Sequence, residues 1–259
     1  MIARIMGIVN VTPDSFWSGS RVQDKASLLE RVRMMVSQGA DAIDIGGCST
    51  RPGGIQPTEQ EEMERLRWGL DAIRESFPDL LLSIDTYRPQ IAERCVREWN
   101  ADIINDVHGG TPEMYDVVAE TGAQYVLTWA EPVRSDPVGE MISFFEHKLE
   151  LIERAGVDVR EKIVLDPGYG FGKTLEQNYT VLSHQAELHR FALPVLSGLS
   201  RKSLAWKLLG ITPDEALPAT VTLNTVALLE GADWLRVHDV REAVQTVMII
   251  QTLKNNKLR

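Results

Sequence analysis

The stretch "AIDIGGCSTRPGG", residues 42–54, decides how the rest of the chain is read. It begins as a short apolar strand, reaches a carboxylate at Asp44, crosses a glycine pair and then presents Cys48, Ser49, Thr50 and Arg51. Just before it, residues 26–38 place Leu28, Leu29, Val32, Met35 and Val36 at helical spacing. That segment runs into "QGAD", where Gly39 can take the left-handed conformation that ends a helix. Just after it, "TEQEE" from Thr58 supplies a cap residue and first-turn acids that suit the positive end of a helix dipole. The unit is therefore helix, short buried strand, polar strand end, loop, helix.

The same unit recurs along the chain. Strand-like segments fall at residues 5–9, 42–45, 80–84, 102–105, 125–128, 163–165, 195–198 and 234–237. They are short and apolar, as parallel strands covered on both faces are. Helix-like segments lie between and after them, at 26–38, 58–74, 89–99, 113–120, 138–155, 175–189, 213–230 and 241–253. Strict alternation of this kind predicts a (β/α)8 TIM barrel in the α/β class. A doubly wound open sheet would carry a nucleotide fingerprint after its first strand, and that turn here is "NVTPDSF". No composition shift marks an interdomain linker, so residues 1–259 are expected to form a single domain.

Composition narrows the function classes. The chain has 259 residues, 44% hydrophobic and 25% charged, and a net charge of −10 with scattered basic residues. A basic stripe, the footprint of nucleic-acid binding, is missing from this pattern. The apolar runs are far shorter than the roughly 20 residues that span a bilayer, so no membrane association is expected. The first residues enter a strand without a signal-peptide pattern, and two cysteines, Cys48 and Cys95, give no disulfide framework. A cytoplasmic location is the corresponding expectation.

In a barrel of this type the active site lies at the C-terminal strand ends. Reading those ends in order gives Asn10; Asp44 with Ser49, Thr50 and Arg51; Asp85; Asn105 and Asp106; Trp129 with Glu131; Asp166; Ser200, Arg201 and Lys202; then Arg236 and His238. Any one strand-end Asp or Asn is most simply a local cap. So many convergent polar ends need an occupant or one another. Asp85, Asn105 and Asp166 can exchange hydrogen bonds with the edge of a nitrogen-rich heterocycle, and Lys202 can donate to a ring carbonyl or nitrogen. Arg51, Arg236 and His238, with Asn10, can hold phosphate oxygens. The inferred ligand has a flat polar ring and an anionic tail.

Competing motifs carry less. In "GYGFGKT" three residues separate Gly168 from Gly172 where a phosphate loop has four, and Lys173 stands at the third glycine of a dinucleotide fingerprint. Ser200 beside Lys202 lacks any oxyanion-hole motif. His184 and His189 are five apart and face different ways, which argues against a structural zinc site. Cys48, Trp68, Trp99 and Trp206 are read as packing residues.

At this point the motifs "MGIVNVTPDSF", "DIGGCSTRPGG", "SIDTYRPQIAE", "ADIINDVHGG", "LDPGYGFGKTLEQN", "LSRKS" and "LRVHDV" resemble, in that order, those of the dihydropteroate synthase family. The resemblance implies a (β/α)8 barrel that joins p-aminobenzoate to 6-hydroxymethyl-7,8-dihydropterin pyrophosphate with release of pyrophosphate, in folate synthesis. It implies that Asp44, Asp85, Asn105, Asp166, Phe171 and Lys202 hold the pterin, with Lys202, Asp85 and Arg236 central to catalysis. Asn10, Arg51, Arg236 and His238 correspond to pyrophosphate binders, and Asn10 to a contact of the Mg²⁺ cofactor. Thr50, Phe171 and Ser203 correspond to the aminobenzoate site. Loops at residues 14–18 and 48–54 are expected to close over the pyrophosphate. The family also implies a homodimer packed through the last helices, for which Val244, Val247, Met248 and Gln251-Thr252 offer a stripe.

Three places depart from the family pattern. After the fifth strand the usual Met-His-Met is Thr128-Trp129-Ala130, Cys48 replaces a usual Glu, and His108 a small hydroxyl residue. Two other readings stand beside the synthase: a pterin-binding barrel without synthase activity, and a pterin-dependent methyltransferase.

Overall fold

The computed structural model describes residues 2–11, 24–48 and 56–257. Its eight strands are β1 (Arg4–Asn10), β2 (Ala42–Gly46), β3 (Leu81–Asp85), β4 (Ile103–Asp106), β5 (Gln124–Thr128), β6 (Ile163–Asp166), β7 (Leu196–Ser197) and β8 (Trp234–Val237). All pair in parallel, in the order β6-β5-β4-β3-β2-β1-β8-β7. A parallel bridge from Leu165 to Val195, with Leu165 N donating to Pro194 O at 2.9 Å, joins β6 to the entry of β7 and closes the ring. The fold is the expected TIM barrel.

The helices are α1 (Lys25–Ser37), α2 (Glu59–Ser76), α3 (Pro89–Trp99), α4 (Pro112–Thr121), α5 (Pro137–Arg154), α6 (Val159–Lys162), α7 (Leu175–Ser183), α8 (Ser203–Leu209), α9 (Leu217–Leu229) and α10 (Val240–Lys257). Thr58 caps α2 as its sequence predicts: its hydroxyl accepts from Glu61 N at 3.2 Å, and the Glu61 carboxylate accepts from Thr58 N at 2.7 Å. Among the described residues no helix is long and apolar enough to cross a membrane.

Two expected helices break, for identifiable reasons. The segment 175–189 leaves the α-helix at His184 and continues as a 3-10 turn, Gln185–Phe191. That break turns Gln185 inward, where Oε1 accepts from Tyr169 Oη at 2.8 Å and Ser197 Oγ at 2.5 Å, and Nε2 donates to Ala227 O at 3.0 Å. A satisfied buried network outweighs helical continuity there. The segment 213–230 starts as a 3-10 turn, Asp214–Ala216, because Pro218 has no amide hydrogen for Asp214 O. Arg201 Nη1 takes that carbonyl instead, and Pro213 O with it, both at 2.8 Å.

Strand alternation positions the site. Met6, Ala42, Ile103, Val126, Val164, Leu196 and Trp234 form one apolar cluster, the plug inside the barrel. Their neighbours Ile43, Ile104, Leu127, Leu165 and Leu235 belong to the larger core under the helices. Burial of each such Leu or Ile contributes about 1.5–3 kcal/mol. Side chains two residues apart share a face of a strand. One step of two beyond the plug, toward the C-terminal ends, therefore brings Asp44, Asn105, Thr128, Asp166 and Arg236 inward, with Ser83 and Asp85 following Leu81 on β3.

Candidate active site

Asp44, wholly buried, is the hub of this inward layer. Its carboxylate accepts from Ser83 Oγ at 2.5 Å, Asn105 Nδ2 at 3.0 Å and Arg236 Nε at 2.5 Å. The other edge of the same guanidinium donates through Nη2 to Asp85 Oδ2. One cation from β8 thus joins two carboxylates on the adjacent strands β2 and β3. Burial pushes the Asp85 carboxyl up to about 7; Arg236 pulls it down, while Asp44 and Glu62 add to the rise. Burial works to lower the Arg236 pKa, and Asp44 and Asp85 overcome this and hold it above its ordinary value. Asn105 Oδ1 is buried without a hydrogen-bond partner, so the layer keeps one open acceptor.

The β6–β7 side is built around Asp166 and Lys202. Asp166 Oδ1 accepts from Gly168 N at 2.8 Å, and burial raises its pKa against the pull of Lys202. Lys202 stands at the N-terminus of α8 and donates from Nζ to Tyr169 O at 2.6 Å. Its ammonium lies 4.7 Å from the Phe171 ring centroid, a cation–π approach. Burial brings Lys202 down to about 8, with Asp166 opposing. A Cβ at Gly198 would sit 3.6 Å from Lys202 Nζ and 3.9 Å from Asp166 Oδ2, so this backbone borders both groups.

The described residues expected at the anionic end of the ligand lie on or next to β1 and β8. Asn10 flanks Gly46, which pairs with Asp85 on β3. The Nδ1 of His238 and the Ser200 hydroxyl are 3.1 Å apart, and the Ser200 hydroxyl also accepts from His238 N at 3.1 Å. Burial, with the cations Arg236, Arg31, Arg201 and Lys202 nearby, takes this imidazole down to about 3. The imidazole is therefore neutral, a hydrogen-bonding group rather than a charge. Arg201, grouped with the strand-end polar residues by sequence, turns away from the mouth. It holds φ +53 and grips Asp239 through Nε at 2.8 Å and Nη2 at 3.0 Å. The two residues beside it in "SRKS" face the site and Arg201 anchors them.

Thr50 and Arg51, with loop residues 14–18 and 49–54, lie outside the described residues. Ser203 opens α8 directly after Lys202. Trp129, read as a strand-end candidate, is packed in the helix-facing core, and Lys173 Nζ lies 3.9 Å from its ring centroid. The inward positions at this strand end are Thr128 and Ala130, both small. Glu131 is exposed. Cys48 is buried and bonds Gln56 Oε1 at 2.8 Å, and burial lifts its thiol to about 11, so packing is its role. His108 stacks on Tyr87, ring centroids 4.2 Å apart.

Sequence reasoning gave Ser83 no role, met Thr128 only as part of the departure after the fifth strand, and did not place Lys173 in the site. The first two were signalled by a hydroxyl inside an apolar run, two residues past a plug residue. Lys173 was set aside with a failed phosphate motif.

The family described as pterin binding enzyme matches residues 6–238. The dihydropteroate synthase of Escherichia coli is 36% identical, the match covering 98% of this chain and 93% of that protein. That of Synechocystis is 38% identical over 96% of this chain and 89% of its own length. The chain is a member of the dihydropteroate synthase family. Solved family structures superpose closely: the Yersinia pestis enzyme, with a sulfonamide drug complex, has a TM-score of 0.92 at 36% identity, covering 98% of this chain and 95% of that one. The Coxiella burnetii enzyme, in complex with pteroic acid, has a TM-score of 0.89 at 30% identity, covering 96% and 92%. Family membership favours the synthase over the methyltransferase and the inactive barrel.

Proposed function

We propose that this barrel is a transferase that joins 6-hydroxymethyl-7,8-dihydropterin pyrophosphate to p-aminobenzoate, giving 7,8-dihydropteroate and pyrophosphate. The observation that carries the reading is the inward layer of Asp44, Asp85, Asn105, Asp166, Lys202 and Arg236, with Asn105 Oδ1 left open. Asp85, Asn105 and Asp166 take the ring edge through hydrogen bonds, and Lys202 donates to it. Phe171 covers a flat face and, with Ser203, lines the aminobenzoate site, to which the family resemblance also assigns Thr50.

The C–O bond to the diphosphate breaks with its electron pair leaving on oxygen. The aniline nitrogen, neutral at pH 7, supplies the pair for the new C–N bond and then loses a proton to solvent. Carboxylates around the ring stabilise the positive charge on the departing methylene, and Arg236 with Arg51 receives the anion, aided by a neutral His238. Moving Arg236 from Asp44 and Asp85 toward phosphate would couple departure to an increase in carboxylate charge beside the ring.

Asn10 fits a Mg²⁺ ion that arrives on the diphosphate, since magnesium favours substrate phosphates and water over an all-protein cage. Among the described residues no group of three carboxylate, His or Cys side chains could hold a metal alone. When bound, the ion neutralises charge on the leaving group. A homodimer through α10 is also proposed, with one change to the expected stripe. Val247 is buried and Val244 packs on the core, whereas Met248, Ile249 and Leu253 are exposed, as are Leu208 and Leu209 on α8.

The test is incubation of the purified protein with Mg²⁺ and both substrates, followed by assay for dihydropteroate. Product that depends on both substrates is expected. Pterin binding without product would overturn the synthase and leave a binding barrel.

A further inference from the structure

The inward layer holds a second open group that no assigned role uses. Thr128 is wholly buried, and its Oγ1 has no hydrogen-bond partner. Val126, two residues earlier on β5, belongs to the barrel plug, so Thr128 shares the inward face. It is the register partner of Asp166 on β6, and its other neighbour strand, β4, carries Asn105. Its methyl group sits against the Gly168 backbone, where an added Cβ would lie 3.2 Å from Thr128 Cγ2. The methyl thus faces the Gly168 backbone while the hydroxyl is left unused.

A buried unpaired hydroxyl is costly, and most native ones are satisfied. Valine has the same shape and would fill this place without that cost. Two unsatisfied atoms on adjacent strands, Asn105 Oδ1 and Thr128 Oγ1, instead suit one ligand edge that brings polar atoms to both. The partly exposed Asp85, Lys202 and Arg236 lie at the same end of the barrel.

We propose that Thr128 is a specificity-determining contact: its hydroxyl hydrogen-bonds the heterocyclic edge of the pterin substrate, between Asn105 and Asp166. The inference rests on the pterin reading above. The hydroxyl can donate or accept, so it suits either a ring N–H or a ring carbonyl. A site that pairs a ligand's polar atom discriminates strongly against an analogue that lacks it.

The experiment compares wild type, Thr128→Val and Thr128→Ser with the dihydropterin pyrophosphate as probe. Thr128→Val is expected to raise the KM for the pterin about five- to tenfold, leaving the KM for p-aminobenzoate unchanged. Thr128→Ser restores the pterin KM. The melting temperature of Thr128→Val should equal or exceed that of wild type, because an unpaired hydroxyl is removed, which separates a binding role from a structural one. A pterin KM within twofold of wild type in Thr128→Val, with wild type binding the pterin, overturns this contact alone. Failure of wild type to bind the pterin overturns both this contact and the pterin reading.

Discussion

Arg236 and Asp44 are 192 residues apart in sequence and 2.5 Å apart in the barrel, joined Nε to Oδ2. Because Arg236 also reaches Asp85, one side chain neutralises two buried carboxylates. Removing one partner of such a pair strands the other charge, at a cost of about 3–5 kcal/mol. Arg236→Leu is therefore expected to lose stability of this order as well as turnover, measured by urea unfolding at pH 7.5. The deficit should shrink as pH falls, because the stranded carboxylates can take up protons in the folded state. A deficit that stays constant down to pH 4.5 would mean that Asp44 and Asp85 do not depend on Arg236.

The pH dependence of the free enzyme follows from two neighbouring groups. Asp85 must be ionised to accept a ring N–H, and its pKa stands at about 7, raised by burial. Lys202 must be protonated to donate, and burial has lowered it to about 8. The kcat/KM for the pterin should rise through the first value and fall through the second, giving a narrow bell. Lys202→Arg should remove the alkaline limb, while His238→Gln should leave both limbs in place, since that imidazole is already neutral.

Much of this was legible in the sequence because period-two alternation and the helix between each pair of strands are local signals. The eight strands are found where apolar runs predicted them, with ends shifted by a residue or so. Asp44, Asp85, Asn105 and Asp166 were legible for the same reason: a polar residue at the end of an apolar strand is conspicuous. The direction of Arg201 was not legible, since only the fold brings Asp239 and the carbonyls of Pro213 and Asp214 around it. Nor was the break at His184, which depends on where Tyr169 and Ser197 meet Gln185. The short α8, Ser203–Leu209, has too few residues for a periodic signal.

Lys173 is expected to fasten the segment that carries Phe171. Its Nζ donates to Trp129 O at 2.9 Å and to Gly168 O and Phe171 O at 3.1 Å each, with the Trp129 ring 3.9 Å away. Lys173→Met should raise the KM for p-aminobenzoate and lower stability by about 1–3 kcal/mol. Burial depresses the lysine to about 7, so between there and its ordinary value the unfolded chain binds more protons than the folded one. Wild-type stability should therefore gain on Lys173→Met as pH rises from 7 to 10, and a gap that closes over this range would mean that the carbonyls hold the ammonium more strongly than burial opposes it.

Gly168 makes the same segment testable through the backbone. It holds φ +68, and an added Cβ would stand 1.9 Å from Trp129 O, inside any allowed contact. Gly156 holds φ +91 with nothing within 4 Å of the same added atom. Gly156→Ala should thus cost only the left-handed strain of about 1–2 kcal/mol. Gly168→Ala carries that strain and must also push β6 away from the end of β5, which displaces the donor to Asp166 Oδ1 and the segment bearing Phe171. Thermal unfolding and pterin affinity measured on both variants check this. The larger loss in each should fall on Gly168→Ala, and equal losses would mean that the β5–β6 junction yields without disturbing the site.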